Sequence, residues 1–164
     1  YMQITEDGLY RHFSKVAEAL DIGVMIYNNP STSKMFVPPN IIARLSKIPN
    51  IIASKENATT IEKYYWMKTE TDPNEFKVCC GIGHLNYMFE APFGCPAMVT
   101  ELLLLAPALV LDFYDACKSQ DFAEANRLMD QIIPYHKFIS RQKEVCHQPM
   151  IRRSEDVQPP FISP

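Results

Sequence analysis

Two short apolar runs, GVMIYNNP (Gly23 to Pro30) and IIASKEN (Ile51 to Asn57), narrow the fold more than any other feature of this chain. Each reads as a strand that closes on one reactive side chain, Tyr27 in the first and Lys55 in the second. Tyr27 and Lys55 are 28 positions apart, and Lys55 and Gly81 are 26 apart. A step of that length holds one strand, one helix and their loops, the repeat of a parallel sheet. Strands this short and this apolar, each followed by a helical pattern, predict an α/β fold, either a (β/α)-barrel or a doubly wound sheet. Neither GxGxxG nor a P-loop pattern accompanies them, which disfavours a nucleotide-binding sheet.

The remaining segments fit the same rhythm. Gln3 to Leu20 predicts an amphipathic helix, with Thr5 as its cap and Leu9, Phe13, Val16, Ala17 and Leu20 at helical spacing. Val24 to Tyr27 is the first strand, and Asn28 to Pro30 read as turn residues. Pro38 and Pro39 open a second helix, with Ile41, Ile42, Leu45 and Ile48 on one face. Ile51 to Ser54 is the second strand, and Thr59 with Glu62 forms a capping box for a third helix. Phe76 to Cys80 is a third strand, His84 to Phe89 is helical, and Ala97 to Val99 is a fourth strand. Beyond it the pattern becomes purely helical. One helix runs from Pro107 to Lys118, and another from the Asp121–Glu124 cap to Arg141, kinked or broken at Pro134. The expected division is a barrel portion at 1–105, a helical extension at 106–145 and a proline-rich tail at 146–164.

Composition removes several function classes. With 47% hydrophobic residues the chain is globular, and a net charge of -3 without a basic run argues against nucleic acid and anionic membrane surfaces as partners. The longest apolar stretch, Leu102 to Val110, is too short to span a bilayer. Cys79, Cys80, Cys95, Cys117 and Cys146 lack metal-ligand spacing and read as reduced thiols of a cytoplasmic protein. His84, His136 and His147 share no metal-like spacing either, so no metal site is expected. Tyr64, Tyr65 and Trp66 read as core and interface packing. The polar first residues carry no signal peptide, and a start at Tyr1 rather than Met implies a processed, truncated or partial product.

Tyr27 and Lys55 suggest a chemistry. Function in a barrel collects at the C-terminal ends of its strands, and neighbouring parallel strands lie about 4.8 Å apart, so the two side chains can converge. An ammonium leaning into an apolar interior loses hydration, which favours the neutral amine, and a neutral amine can condense with a ketone to give a Schiff base. A nearby phenol can relay the protons. Taken singly, Lys55 reads more readily as a surface lysine that snorkels or pairs with Glu56 or Glu62, and Tyr27 as core or turn packing; their joint placement brings the two readings level.

The motifs favour the first reading. YNNP at Tyr27 to Pro30 resembles the Y-N-x-P of the pyruvate-dependent class I aldolases, the family of dihydrodipicolinate synthase and N-acetylneuraminate lyase. SKEN at Ser54 to Asn57 resembles that family's G-x-K-E-[AS], and the similarity extends from Ile4 to Ile139. The resemblance implies the C-terminal half of a (β/α)8 TIM barrel with a C-terminal helical extension. Lys55 would be the Schiff-base lysine and Tyr27 the proton-relay tyrosine. Gly81 would close the seventh strand, and Val99 would match the eighth-strand residue whose carbonyl faces the site. No cofactor or metal is implied, since the imine is itself the electron sink.

Departures from the pattern shape the expected substrate. Dihydrodipicolinate synthases carry an arginine two residues past the motif's proline, where this chain has Thr32. Threonine cannot hold a carboxylate bidentately. The hydroxyls of Ser31, Thr32 and Ser33 suit a polyol chain better, so a 2-oxo acid of the 2-keto-3-deoxy sugar acid type is expected, cleaved by an aldolase or dehydrated. Dihydrodipicolinate synthase-like and N-acetylneuraminate lyase-like activities are the alternatives. Gly81-Ile82-Gly83 replaces the frequent Gly-Asp-Asp, and Leu104 stands where an asparagine is frequent. The family's G-x-x-G-E strand and its threonine pair do not occur in the chain. The expected partners are therefore the missing N-terminal barrel half or a full-length family member, within a homo-oligomer. The rival expectation is a truncated, non-catalytic relative serving as an oligomerisation half.

Overall fold

In a computed structural model, residues 4–57 and 60–146 are described, the backbone alone for Ser140 and 142–146. The chain alternates helix and strand: α1 (Glu6–Glu18), β1 (Val24–Asn28), α2 (Pro30–Ser33), α3 (Pro39–Leu45), β2 (Ile51–Glu56), α4 (Ile61–Glu70), β3 (Lys77–Cys80) and α5 (His84–Glu90). Two 3-10 turns and the long pair α6 (Pro107–Lys118) and α7 (Phe122–Cys146) follow. The three strands form one parallel sheet in the order β1-β2-β3. The α/β class and parallel pairing expected from the sequence are both present, and the order shows no reversal among these strands.

Local chemistry fixes the ends of these elements. Thr5 caps α1 by accepting from the Gly8 amide at 3.2 Å. The α4 cap is Thr60, accepting from Lys63 N–H at 3.4 Å, while the expected cap Thr59 lies outside the described residues. Asp121 accepts from the Glu124 amide at 3.0 Å, as its spacing predicts. Pro38 is the N-cap residue of α3 and Pro39 its first helical residue, where a missing N–H costs little.

Several expectations need correction. The first helix is shorter than Gln3 to Leu20, and Val16 and Leu20 are exposed because only the Leu9–Ala17 side of α1 is covered. Gln3 lies outside the described residues. Ile48 falls beyond the end of α3. Asn28 belongs to β1 rather than to a turn, and β2 extends through Lys55 to Glu56. The expected fourth strand is reduced to one parallel bridge, Cys80 to Met98, held by Cys80 N–H to Ala97 O and Val99 N–H to Cys80 O, both 2.9 Å. Proline at 96 and a 3-10 turn from Glu101 confine the extended stretch to that pair of bonds. Pro134 does not break α7, which stays helical through it. Buried Ala125, Leu128, Met129 and Ile132 in the preceding turns anchor that helix to the core, offsetting the one missing N–H. Tyr64 is buried, but Tyr65 and Trp66 are about half exposed.

The core lies between one face of the sheet and the helices. Ile26, Ile41, Ile42, Leu45, Met67, Phe76 and Val78 pack there, continuous with Phe113, Leu128 and Ile132 of the α6–α7 pair. Cys79, Cys80, Cys95 and Cys117 are free and buried, as reduced thiols acting as small apolar residues. The opposite sheet face is open at β1: Met25 and Tyr27 are 48% and 51% exposed, while the alternate residues Ile26 and Asn28 are each 1% exposed. No described helix is long and apolar enough to cross a membrane.

Candidate active site

Strand register brings the two reactive side chains together. Tyr27 pairs with Lys55 and Asn28 with Glu56 across β1 and β2, and Lys55 pairs with Cys79 across β2 and β3. Because side chains alternate, Tyr27, Lys55 and Cys79 share one face and Asn28, Glu56 and Cys80 the other. Lys55 Nζ lies 4.1 Å from the centroid of the Tyr27 ring, a cation–π contact. The phenol oxygen accepts from Asn29 Nδ2 at 3.0 Å, an interaction that leaves the phenol's own proton unconsumed.

The other expected site residues gather near this pair. The same Asn29 amide reaches Thr32 Oγ1 at 3.2 Å, so Thr32 and Tyr27 are joined through one side chain. Ser31 donates to Asn29 Oδ1 at 2.6 Å. The Ser33 hydroxyl is engaged in the turn after α2, donating to Met35 O at 2.8 Å and lying 3.0 Å from Asn29 O. Gly81 donates its N–H to Glu56 O at 2.9 Å, and a Cβ there would lie 2.9 Å from Lys55 Cγ and 2.0 Å from Asn57 Oδ1. Only a glycine lets β3 run this close beside the lysine stem. Val99 follows the Cys80 bridge and is 42% exposed.

The fully apolar enclosure expected around Lys55 does not exist among the described residues. Lys55 is partly buried and Tyr27 half exposed, while Ala53 and Cys79 on the same face are only 6% and 5% exposed, so the face is open at β1 and closes toward β3. A surface hollow of about 620 Å3 lies elsewhere, against α6 and α7, and is lined by Asp112, Asp115, Lys118, Ser119, Asp121 and Glu124.

Behind the open face is a buried polar layer that the sequence reading missed. Asn28 donates from Nδ2 to Glu56 Oε2 at 2.8 Å and to Val37 O at 2.9 Å, and accepts from Val37 N–H at 3.0 Å. Burial pushes Glu56 up to about 7, with Ser54 and Asn28 pulling the other way and Glu90 adding to the rise. Burial likewise raises Glu90 to about 7. Its carboxyl faces the thiols of Cys80 and Cys95, weak donors that pull it down slightly, and finds no partner of ordinary hydrogen-bond geometry among the described residues. Burial first, then Glu90, raises both thiols, Cys95 to about 12, so neither is a thiolate nucleophile. The available signal was positional. Asn28 and Glu56 directly follow the two reactive residues, so strand alternation turns them inward whenever Tyr27 and Lys55 face outward.

His84 and His136 are also brought together, with Nδ1 and Nε2 2.9 Å apart, although their spacing shows no ligand pattern. Burial, with His136 adding to it, lowers His84 to about 4. No group of three or more metal-ligating side chains occurs among the described residues.

Similarity to known proteins is concentrated in one family. The family profile described as the Dihydrodipicolinate synthetase family matches residues 1–154. The 4-hydroxy-tetrahydrodipicolinate synthase of Syntrophobacter fumaroxidans is 32% identical over 139 residues, covering 82% of this chain and 45% of that protein. The protein of the same description from Neisseria meningitidis serogroup C is 32% identical over 136 residues, covering 83% of this chain and 46% of its own length. The crystal structure of dihydrodipicolinate synthase from Aquifex aeolicus superposes with a TM-score of 0.76 at 27% identity, covering 84% of this chain and 46% of that one. The chain thus spans about half the length of the curated relatives it matches. The family profile spans most of the chain and the fold is shared over the matched part, and the chain belongs to the dihydrodipicolinate synthetase family.

Proposed function

We propose that this chain carries the Schiff-base centre of a class I aldolase-type lyase acting on a 2-oxo acid. One observation carries the reading: Tyr27 and Lys55 are register partners at the C-terminal ends of adjacent parallel strands, with the amine 4.1 Å from the phenol ring. The deprotonated Lys55 amine attacks the ketone carbon, and the carbinolamine takes up a proton at its hydroxyl and loses water to give the protonated imine. Cleavage of the bond one carbon further on sends its electron pair into the iminium as an enamine, while the departing hydroxyl carbon becomes a carbonyl and its proton passes to the Tyr27 oxygen as the phenol relays its own proton to solvent. Protonation of the enamine and hydrolysis return the amine. Dehydration departs from the same protonated imine: the carbon next to it loses a proton to give an enamine that still bears the neighbouring hydroxyl carbon, and that enamine expels the hydroxyl, which takes up a proton and leaves as water.

Thr32, with Ser31 and Ser33 beside it, offers hydroxyls rather than a guanidinium to the distal part of the substrate, which supports a 2-keto-3-deoxy sugar acid. Dihydrodipicolinate synthase-like and N-acetylneuraminate lyase-like substrates remain the alternatives to be compared. Gly81 and Val99 supply backbone next to the imine. We read the fold as the C-terminal half of a (β/α)8 barrel at 1–105 with a helical extension at 106–145 and a tail at 146–164. The uncovered Met25–Tyr27 face supports that reading, since in a closed barrel it would line the interior. The partner would then be the front half of a barrel or a full-length relative, in a cytoplasmic homo-oligomer. The same open face favours a second reading, a non-catalytic oligomerisation half.

Treatment with pyruvate and borohydride separates the two. The expected outcome is a reduced adduct at Lys55, lost in Lys55→Ala and slowed in Tyr27→Phe. No adduct, even with the front half of a family barrel supplied, would leave only the oligomerisation reading. Incubation with 2-keto-3-deoxy acids then distinguishes cleavage from dehydration by the products.

A further inference from the structure

We infer that the Asn28–Glu56 hydrogen bond is a positioning device that sets the geometry of Tyr27 and Lys55. The inference rests on the Schiff-base reading above. Asn28 and Glu56 are 1% and 0% exposed and are register partners, one step along from the Tyr27–Lys55 pair on the same two strands. Their 2.8 Å side-chain bond ties β1 to β2 behind the reactive residues, where the backbone ladder alone would fix only spacing along the strands. Asn28 is itself held at both ends of its amide by Val37. Val37 is buried just ahead of α3, so β1 is locked to the helix layer as well. Gly81 completes the arrangement, donating to the Glu56 carbonyl while packing against the Lys55 stem. Rotation of Glu56 would therefore pass directly into the backbone that carries Lys55. Neither Asn28 nor Glu56 faces the substrate side, so both act through Tyr27 and Lys55 and are positioning residues.

Glu56→Met and Glu56→Gln test this. Both are neutral and of similar volume, but only glutamine keeps an oxygen acceptor for Asn28 Nδ2. Under Glu56→Met, Asn28 keeps both bonds to Val37, which protects the local fold. The reaction is borohydride trapping of pyruvate at Lys55, read as a rate at saturating pyruvate and, separately, as a final amplitude. The positioning role predicts that Glu56→Met slows trapping about 10- to 100-fold with full amplitude and an intact circular dichroism spectrum, and that Glu56→Gln restores the rate. A merely structural role would lower the amplitude with the folded fraction and leave the rate unchanged. That result, or equal rates for the two variants, overturns the inference. Should Glu56→Met fail to fold, Asn28→Ala removes the same bond from the other side and must show the same loss of rate in its folded fraction. An absent adduct in the wild-type protein would instead defeat the Schiff-base reading, so the two failures are distinct.

Discussion

Gly81 shows how a single missing methyl can govern the site. A Cβ there would press on Lys55 Cγ, Glu56 O and Asn57 Oδ1 at 2.9 Å or less, and two of these neighbours are a lysine stem and a backbone oxygen. Gly81→Ala is expected to lower the urea midpoint and to slow trapping at Lys55 at least about tenfold, since small displacements of a reacting group are costly. Trapping at the wild-type rate would show that the strand ends yield freely. Glu90 makes a different prediction. Its folded carboxyl titrates near 7 against an ordinary 4.5, so the folded state binds the proton more tightly between those values. Its contribution is then fully present below pH 4.5 and is lost as pH rises toward 7. His84 acts in the opposite sense, losing its contribution as pH falls from 6.5 toward 4. The clean readout is therefore the difference between Glu90→Gln and wild type: the variant should be relatively more stable at pH 8 than at pH 5. Parallel urea-midpoint curves across that range would refute the account. Tyr27, Lys55 and Gly81 were legible because motif and spacing mark them. Asn28 and Glu56 were not, because a polar residue at a strand end looks like a turn residue until register and burial show that it turns inward.

At the level of elements, the sequence revealed type and order well and boundaries less well. The α6 limits, Pro107 and Lys118, coincide with the expectation, because proline opens a helix at a position that needs no N–H. The fourth strand failed because the four residues between Pro96 and Glu101, the last of them capping the 3-10 turn, form only a bridge, and no periodicity separates a bridge from a short strand. Helix α7 failed in the other direction, since buried packing carried it through a residue that propensity treats as a stop. Pro134→Ala should restore an amide able to bond the Asp130 carbonyl, one turn earlier, and raise the melting temperature. A lower melting temperature would mean that the shape Pro134 gives α7 is what sets His136 against His84 at 2.9 Å.

For the molecule as a whole, the half-barrel reading makes its own prediction. Supplying the front half of a family barrel should cover Met25 and Tyr27, reduce the binding of a hydrophobic dye and sharpen the thermal transition. Unchanged dye binding in such a mixture would argue that this face pairs with something else or with nothing. The whole-molecule fold was legible as α/β with parallel strands, while the openness of one face was not, since apolar alternation is the same whether a face is covered by helices or by other strands. Asn57 N–H bonds to Asn28 O, Gly81 N–H to Glu56 O and Val99 N–H to Cys80 O, each at 2.9 Å, a staircase of amides one residue past β2, β3 and the Met98 bridge. These three protons should exchange with deuterium as a single slow block, so that loosening any one step frees the rim that carries both the amine and the phenol.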